Sequence, residues 1–190
     1  MKRTKKGRFT MFLWVTILVF LGVVVTFPKW ITVFYPLPHR EIVFSIANEY
    51  EVDPFLVFAI IRAESKYQTS AESPVGAKGL MQIMPETAEW IAEQMKIKSL
   101  EADDLHEPEV NIRLGCWYIK DLDNEFNGNI PVVVAAYNAG RGKVNQWIRE
   151  GQWDGTPDEI EAIPFPETKQ YVKNVLNNYQ AYKAIYKNYK

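Results

Sequence analysis

Apolar and polar positions divide the chain into one unbroken apolar run followed by a series of amphipathic segments. The run, FTMFLWVTILVFLGVVVTF at Phe9–Phe27, contains no charged residue. At about 1.5 Å of helical rise per residue it matches the roughly 30 Å hydrocarbon core of a membrane. Beyond it, REIVFSIANEY predicts a short helix. DPFLVFAIIRAES predicts a second, with Asp53 as N-cap and Pro54 at the first helical position. PETAEWIAEQMKI repeats Ala88, Ile91, Ala92 and Met95 at helical spacing, and EVNIRLGCWYIKDLDNEF sets Ile112, Cys116, Ile119 and Leu122 on one face. PVVVAAYNAG is apolar and short, and its β-branched content leaves helix and strand both open. The C-terminal repeat of Tyr171, Val175, Tyr179, Tyr182 and Tyr186 predicts a helix whose aromatic seam packs into a core. Loops rich in Gly, Pro and Ser, namely SPVGAKG, NAGRG and GQWDGTP, separate these segments. The expectation is a compact, mostly helical domain behind one N-terminal transmembrane helix, with polar glycine-rich loops grouped after the second helix of the domain.

The flanks of the apolar run set the expected organisation. MKRTKKGR has five basic residues and no acid, so residues 1–8 are expected in the cytoplasm and everything after Pro28 outside. A cleaved signal peptide is the competing reading, but its apolar region is usually shorter and no A-x-A-like site follows. No cysteine follows directly, which excludes a lipoprotein anchor. The expectation is therefore an uncleaved, single-pass signal anchor at 9–27. A stiff stalk at 28–38 (PKWITVFYPLP, three prolines) should lead into a domain at 39–190.

Charge and rare residues narrow the chemistry. Taking the six Lys and Arg of residues 1–38, where there is no acid, from a formal net charge of −1 leaves −7 for the rest. Such a domain lacks the basic footprint that nucleic acid requires. The single cysteine, Cys116, permits neither an intrachain disulfide nor a cysteine metal cluster, and two histidines, His39 and His106, make a histidine metal site a poor reading. No metal and no cofactor are expected. Chemistry would have to run on carboxylates, amides and tyrosines.

One carboxylate stands in an unusual place. Counting from Pro54, residues Leu56, Ile60 and Glu64 fall at i, i+4 and i+8, so Glu64 ends an apolar stripe. A charge there is costly unless it is paired or protonated. It either curls to water or to Lys66 or Arg62, or it is held as a proton donor. Nine residues later begins SPVGAKGLMQIMP, where Gly76 and Gly79 allow close backbone approach and Met81 sits beside Gln82. An amide that offers donors and an acceptor suits an N-acetyl sugar, and equally could brace a loop. AAYNAG adds Tyr137 and Asn138 at the end of an apolar segment. IPFPETKQYV adds Glu167 near a helix start, where it could serve the helix dipole, and Tyr171 four residues on.

ESKY, GAKGLMQIMPETA, NIRLGCWYI, AAYNAG and IPFPETKQYVKNV occur in the order found in soluble lytic transglycosylase-type (SLT) domains, and the resemblance covers roughly residues 40–185. These are lysozyme-like enzymes that cleave bacterial peptidoglycan. The resemblance implies an α+β, mainly α, lysozyme-like fold with a catalytic groove and Glu64 as catalytic acid and then base. It further implies that Ser73, Met81, Gln82, Tyr137, Asn138, Glu167 and Tyr171 line the glycan site. The implied reaction cleaves the MurNAc-β-1,4-GlcNAc bond with closure of a 1,6-anhydro ring, and the implied partners are glycan strands and, through the first helix, the membrane. A goose-type-lysozyme-like hydrolase would share Glu64 and the groove. A non-catalytic peptidoglycan-binding module has no need of a carboxyl on an apolar face.

Overall fold

A computed structural model describes residues 5–187 and divides them into two units, one ending at Pro36 and one beginning at Leu37. The first four residues of the expected cytoplasmic tail, and residues 188–190, lie outside the described residues.

The first unit is a single helix, α1 (Lys5–Phe34). Its window Gly7–Val24 has a mean hydropathy of 2.0 and none of it is buried against protein, so by length and composition it can cross a membrane. The helix runs on through Pro28 into the expected stalk, and the chain leaves helical geometry only at residues 35–39. One proline forfeits a single backbone bond, which the turns on either side outweigh in a helix of this length.

The second unit packs α2 (Arg40–Glu49), α3 (Pro54–Glu64), α4 (Pro85–Met95), α5 (Pro108–Glu125), α6 (Ile130–Ala139), α7 (Arg141–Arg149) and α8 (Pro166–Ile185), with 3-10 turns at Ala102–His106 and Ile160–Ala162. Among the described residues no β-strand forms. The residual β character is two isolated bridges, Glu72 with Lys78 and Lys78 with Ile83, in the loop after α3.

Helix α3 organises the unit. Its residues Leu56–Ile61 are all buried, as expected of a helix apolar on every side. Asp53 caps it as the sequence implies: its carboxylate accepts from the Phe55 backbone N–H at 2.9 Å, and Pro54 occupies the first turn. Helix α8 lies against α3 in the opposite direction, since Tyr171 near the start of α8 meets Glu64 at the end of α3, while Tyr179 meets Asp53 at its start. The tyrosine seam of α8 is core, with Tyr179, Tyr182 and Tyr186 buried, the Tyr186 ring stacked on Phe55 and the Tyr182 ring tilted against Phe58. Cys116 is likewise core, and burial pushes its thiol pKa up to about 12.

Two elements depart from the sequence pattern or resolve it. PVVVAAYNA is a helix, with Asn129 as N-cap and Pro131 in the first turn, and Val132–Val134 are fully packed. Burial against α5, α7 and α8 overrides the β preference of the three valines. NAGRG, read as a loop, leaves helical geometry only at Gly140, whose φ of +87° turns the chain between α6 and α7. Arg141 then begins α7, held by burial of Val144 and Trp147 on one face.

Candidate active site

The site assembles where α3 ends. Beyond Glu64 the Ser65 hydroxyl donates back to the Ile61 carbonyl and accepts from the Tyr67 N–H. Lys66 and Tyr67 then take φ values of +51° and +70°. Two consecutive bulky residues in the left-handed region cost on the order of 1 kcal/mol or more each. The turn they make ends α3 at Glu64, whose carboxyl meets α8.

There the Tyr171 hydroxyl donates to Glu64 Oε1 at 2.6 Å. Burial raises the Glu64 pKa from its ordinary 4.5 to about 7, and the Tyr171 bond offsets part of that rise by favouring the charged form. Among the described residues neither Lys66 nor Arg62 forms an ion pair with Glu64. Arg62 instead bonds the Tyr182 hydroxyl. No second carboxylate contributes to the shift either. Elsewhere in the unit Asp103 pairs with Lys78 at 3.2 Å, and Asp104 accepts from the Glu101 N–H at 2.8 Å. Tyr137 is the other neighbour in the cluster. Burial first, and the Glu64 charge second, hold the Tyr137 and Tyr171 hydroxyls well above the usual phenol range, so both stay protonated donors.

The loop 71–83 forms the facing wall. Lys78 and Ile83 exchange both backbone bonds at 3.0 Å, and the Gln82 side chain donates to the carbonyls of Ala71 at 3.1 Å and Gly79 at 2.9 Å. Gln82 itself is held at φ +48°. Gly79 is required here: a Cβ on it would lie 2.0 Å from the Leu105 carbonyl oxygen. Met81 is fully buried, with its sulfur against Gly115 of α5, and it meets the site through its carbonyl, which accepts from the Tyr137 hydroxyl at 2.9 Å.

The predicted residues thus fall into three groups. Glu64 and Tyr171 are bonded directly, and Tyr137 lies near enough for the Glu64 charge to act on it. Gln82, Tyr137 and Asn138 line one cavity of about 210 Å³, together with Thr87 and Tyr118. Ser73, Glu167 and Met81 form the third group, set by contacts of their own: Ser73 Oγ accepts from the Ala77 N–H at 2.9 Å and closes its own loop. Glu167 is exposed in the first turn of α8. Asn138 is tied to α8 through its Oδ1, which accepts from the Thr168 hydroxyl at 2.7 Å.

Asn111 was not singled out by sequence reasoning, yet it carries the loop. It is completely buried, accepts from the Met81 N–H at 2.7 Å, and donates to the carbonyls of Leu105 at 2.8 Å and Lys78 at 3.0 Å. A signal existed: Asn111 and Gly115 stand four apart on an apolar helix face, and both meet the loop 79–81.

Comparison with known proteins agrees with this arrangement. The family model described as Transglycosylase SLT domain matches residues 41–160. The chain is 38% identical over 159 residues to the soluble lytic murein transglycosylase of Salmonella typhimurium, covering 82% of this chain and 24% of that protein. It is 29% identical to a membrane-bound lytic murein transglycosylase C of Edwardsiella ictaluri, covering 77% of this chain and 47% of that protein. Among solved structures, the 70 kDa soluble lytic transglycosylase of Escherichia coli superposes with a TM-score of 0.75 at 34% identity, over 86% of this chain and 28% of that one. An inactive mutant of the lytic transglycosylase Slt of Pseudomonas aeruginosa gives a TM-score of 0.74 at 39% identity, over 80% and 25%. The chain spans about a quarter of the length of the soluble relatives it matches.

Proposed function

Because the chain belongs to the transglycosylase SLT domain family, we propose that it is a peptidoglycan lytic transglycosylase with Glu64 as its general acid and then base. The observation that carries this reading is a carboxyl raised to about 7, bonded by Tyr171, with no second carboxylate among the described residues contributing to the rise. A group of that pKa holds a transferable proton near neutrality. Glycosidases that use a carboxylate nucleophile or an activated water need a second acidic group within about 10 Å.

The steps balance around one proton. Protonated Glu64 donates to the glycosidic oxygen as the bond from C1 of MurNAc breaks, and the neighbouring N-acetyl carbonyl stabilises the developing cation. The Glu64 carboxylate then takes the proton of the same sugar's C6 hydroxyl as O6 bonds to C1 and displaces the acetamido oxygen. The product is a 1,6-anhydro end, no water is consumed, and Glu64 is protonated again. Tyr171 holds the carboxylate through its charged phase. Gln82 and Asn138 supply the polar lining of the adjoining cavity, and Tyr137 joins its wall to the carboxyl.

The apolar helix α1 supports a membrane anchor. With the basic residues before it in the cytoplasm, the domain stands outside and works on glycan close to the membrane. The test is incubation of the detergent-solubilised chain with purified peptidoglycan and mass spectrometry of the released muropeptides, with Glu64→Gln alongside. Anhydro ends that vanish in the variant are expected. Reducing ends in their place would make the enzyme a hydrolase, and no release would remove the enzymatic reading.

A further inference from the structure

Helix α4 has a cavity at each end. Met84 and Thr87 at its start line the cavity at Gln82 and Asn138. Just beyond its last residue, Ile97 and Leu100 join Val110 and Leu114 of α5 around another, of about 380 Å³. This second cavity has no part in the chemistry above. The two are separated by the length of an eleven-residue helix, about 16 Å at 1.5 Å per residue. A shallow cleft lined by Pro85, Ala88, Glu89 and Leu100 borders both, since Pro85 follows Met84 and Leu100 also belongs to the second cavity.

The second cavity combines apolar walls with acidic groups. Leu114 is buried, Val110 and Leu100 are half-buried, and Asp104, Glu107 and Glu109 stand around them. Arg113, a cation in the same lining, donates to both oxygens of Glu49, at 2.7 and 2.8 Å, and to Glu109 at 3.4 Å. Its charge is met before any ligand arrives. Glu107 is different. It is the N-cap residue of α5 yet gives that helix no side-chain bond, and among the described residues it joins no ion pair. Lys96 and Lys98 alternate with the lining residues of their loop and point their exposed side chains elsewhere, outside the lining. Asp104, Glu107, Glu109 and Glu49 against Arg113 leave a formal charge of −3 there.

An anion is disfavoured at such a place, and a purely apolar group leaves the carboxylates without a partner. A primary amine on an aliphatic stem meets both parts: its methylenes cover Val110 and Leu114, and its ammonium reaches Glu107. The volume is that of a small-ligand site.

We propose that this cavity binds the side-chain amine of the diamino acid in a peptide stem of the peptidoglycan, while the sugar that carries the stem lies in the cavity at Gln82. An extended stem of four or five residues spans about 13–18 Å, which matches the length of α4. It rests on the peptidoglycan reading above and adds recognition of the stem, by the domain itself, at the far end of α4. Free carboxylates beside the amine meet the same acidic groups, so stems with amidated carboxyls bind better than stems with free ones.

The probe is N-acetyl-alanyl-isoglutaminyl-lysinamide, added to the detergent-solubilised, nitrogen-15-labelled full chain while backbone amide shifts are followed by NMR. Shifts are expected at Ile97, Leu100, Glu107 and Val110, and not at Gln82 or Glu64. Acetylating the lysine amine should weaken binding about tenfold and Glu107→Gln about threefold, both less at high salt. The thermal midpoint of Glu107→Gln should match that of the native chain, and Glu109→Gln stands in for it otherwise. In the activity arm, native chain should release muropeptides more slowly from peptidoglycan whose amines are acetylated, and Glu107→Gln should lose that difference. No binding, shifts confined to other residues, or binding indifferent to acetylation overturns the stem site. Equal release of anhydro ends from acetylated and untreated peptidoglycan also overturns it and leaves the peptidoglycan reading intact. No release from either overturns both.

Discussion

Helix α3 has a carboxylate at each end, and α8 offers a tyrosine hydroxyl to both. Asp53 accepts from Tyr179 at 2.7 Å and Glu64 from Tyr171 at 2.6 Å, so the partner chemistry is the same. The surroundings differ. Asp53 sits at the N-terminus, where it also takes the Phe55 N–H and faces the positive end of the helix dipole. Glu64 sits at the C-terminal end, takes no backbone donor among the described residues, and is buried enough to hold its proton to about pH 7. A tyrosine bond alone does not decide what a carboxylate does. Backbone donors and position along the helix make one a structural cap, and their absence leaves the other with a proton to give.

The largest expected contrast is in rate. Glu64→Gln should lower muropeptide release by about a hundredfold to ten-thousandfold. Asp53→Ala should leave the release per folded molecule nearly unchanged.

Next comes stability as a function of pH. The Glu64 carboxyl loses its proton near its ordinary 4.5 in the unfolded chain and near 7 in the folded one. Between those values the folded state binds more protons, so stability falls as pH rises. The full penalty, up to about 3 kcal/mol, is present above pH 7. Glu64→Gln removes the penalty. Its thermal midpoint should exceed that of the native chain by more at pH 8 than at pH 5, and equal differences at both would contradict the assignment.

Asp53→Ala should cost about 1–2 kcal/mol by loss of the cap, read as a lower midpoint of denaturant unfolding. The tyrosine pair gives the smallest and most specific effects. Tyr179→Phe should cost about 1 kcal/mol and leave the pH–rate profile in place. Tyr171→Phe removes a bond that favours the charged form, so the basic limb of the profile should move to higher pH. A profile that moves with Tyr179 and not with Tyr171 would reverse the comparison.

The start of α3 was legible because its signals are local: Asp53, Pro54 and the stripe through Leu56 and Ile60 lie within one helix. Glu64 was legible for the same reason, as a charge at the end of that stripe. What makes it a candidate site was not. Tyr171 is 107 positions away, and only the packing of α8 on α3 brings it to the carboxyl. Helix α6 could not be told from a strand, because Val132–Val134 favour one state locally and their burial imposes the other. Helix α7 was hidden behind Gly140 and Gly142, with only Val144 and Trp147 buried along it.

The most direct test of the account is the ionisation of Glu64 itself. The chain, labelled with carbon-13 at the glutamate side-chain carboxyl, would be titrated in detergent while the resonance absent from Glu64→Gln is followed. A midpoint near 7 that moves upward in Tyr171→Phe is the predicted result. A midpoint near 4.5, unmoved by Tyr171→Phe, would mean that Glu64 is charged at neutral pH and is not the proton donor.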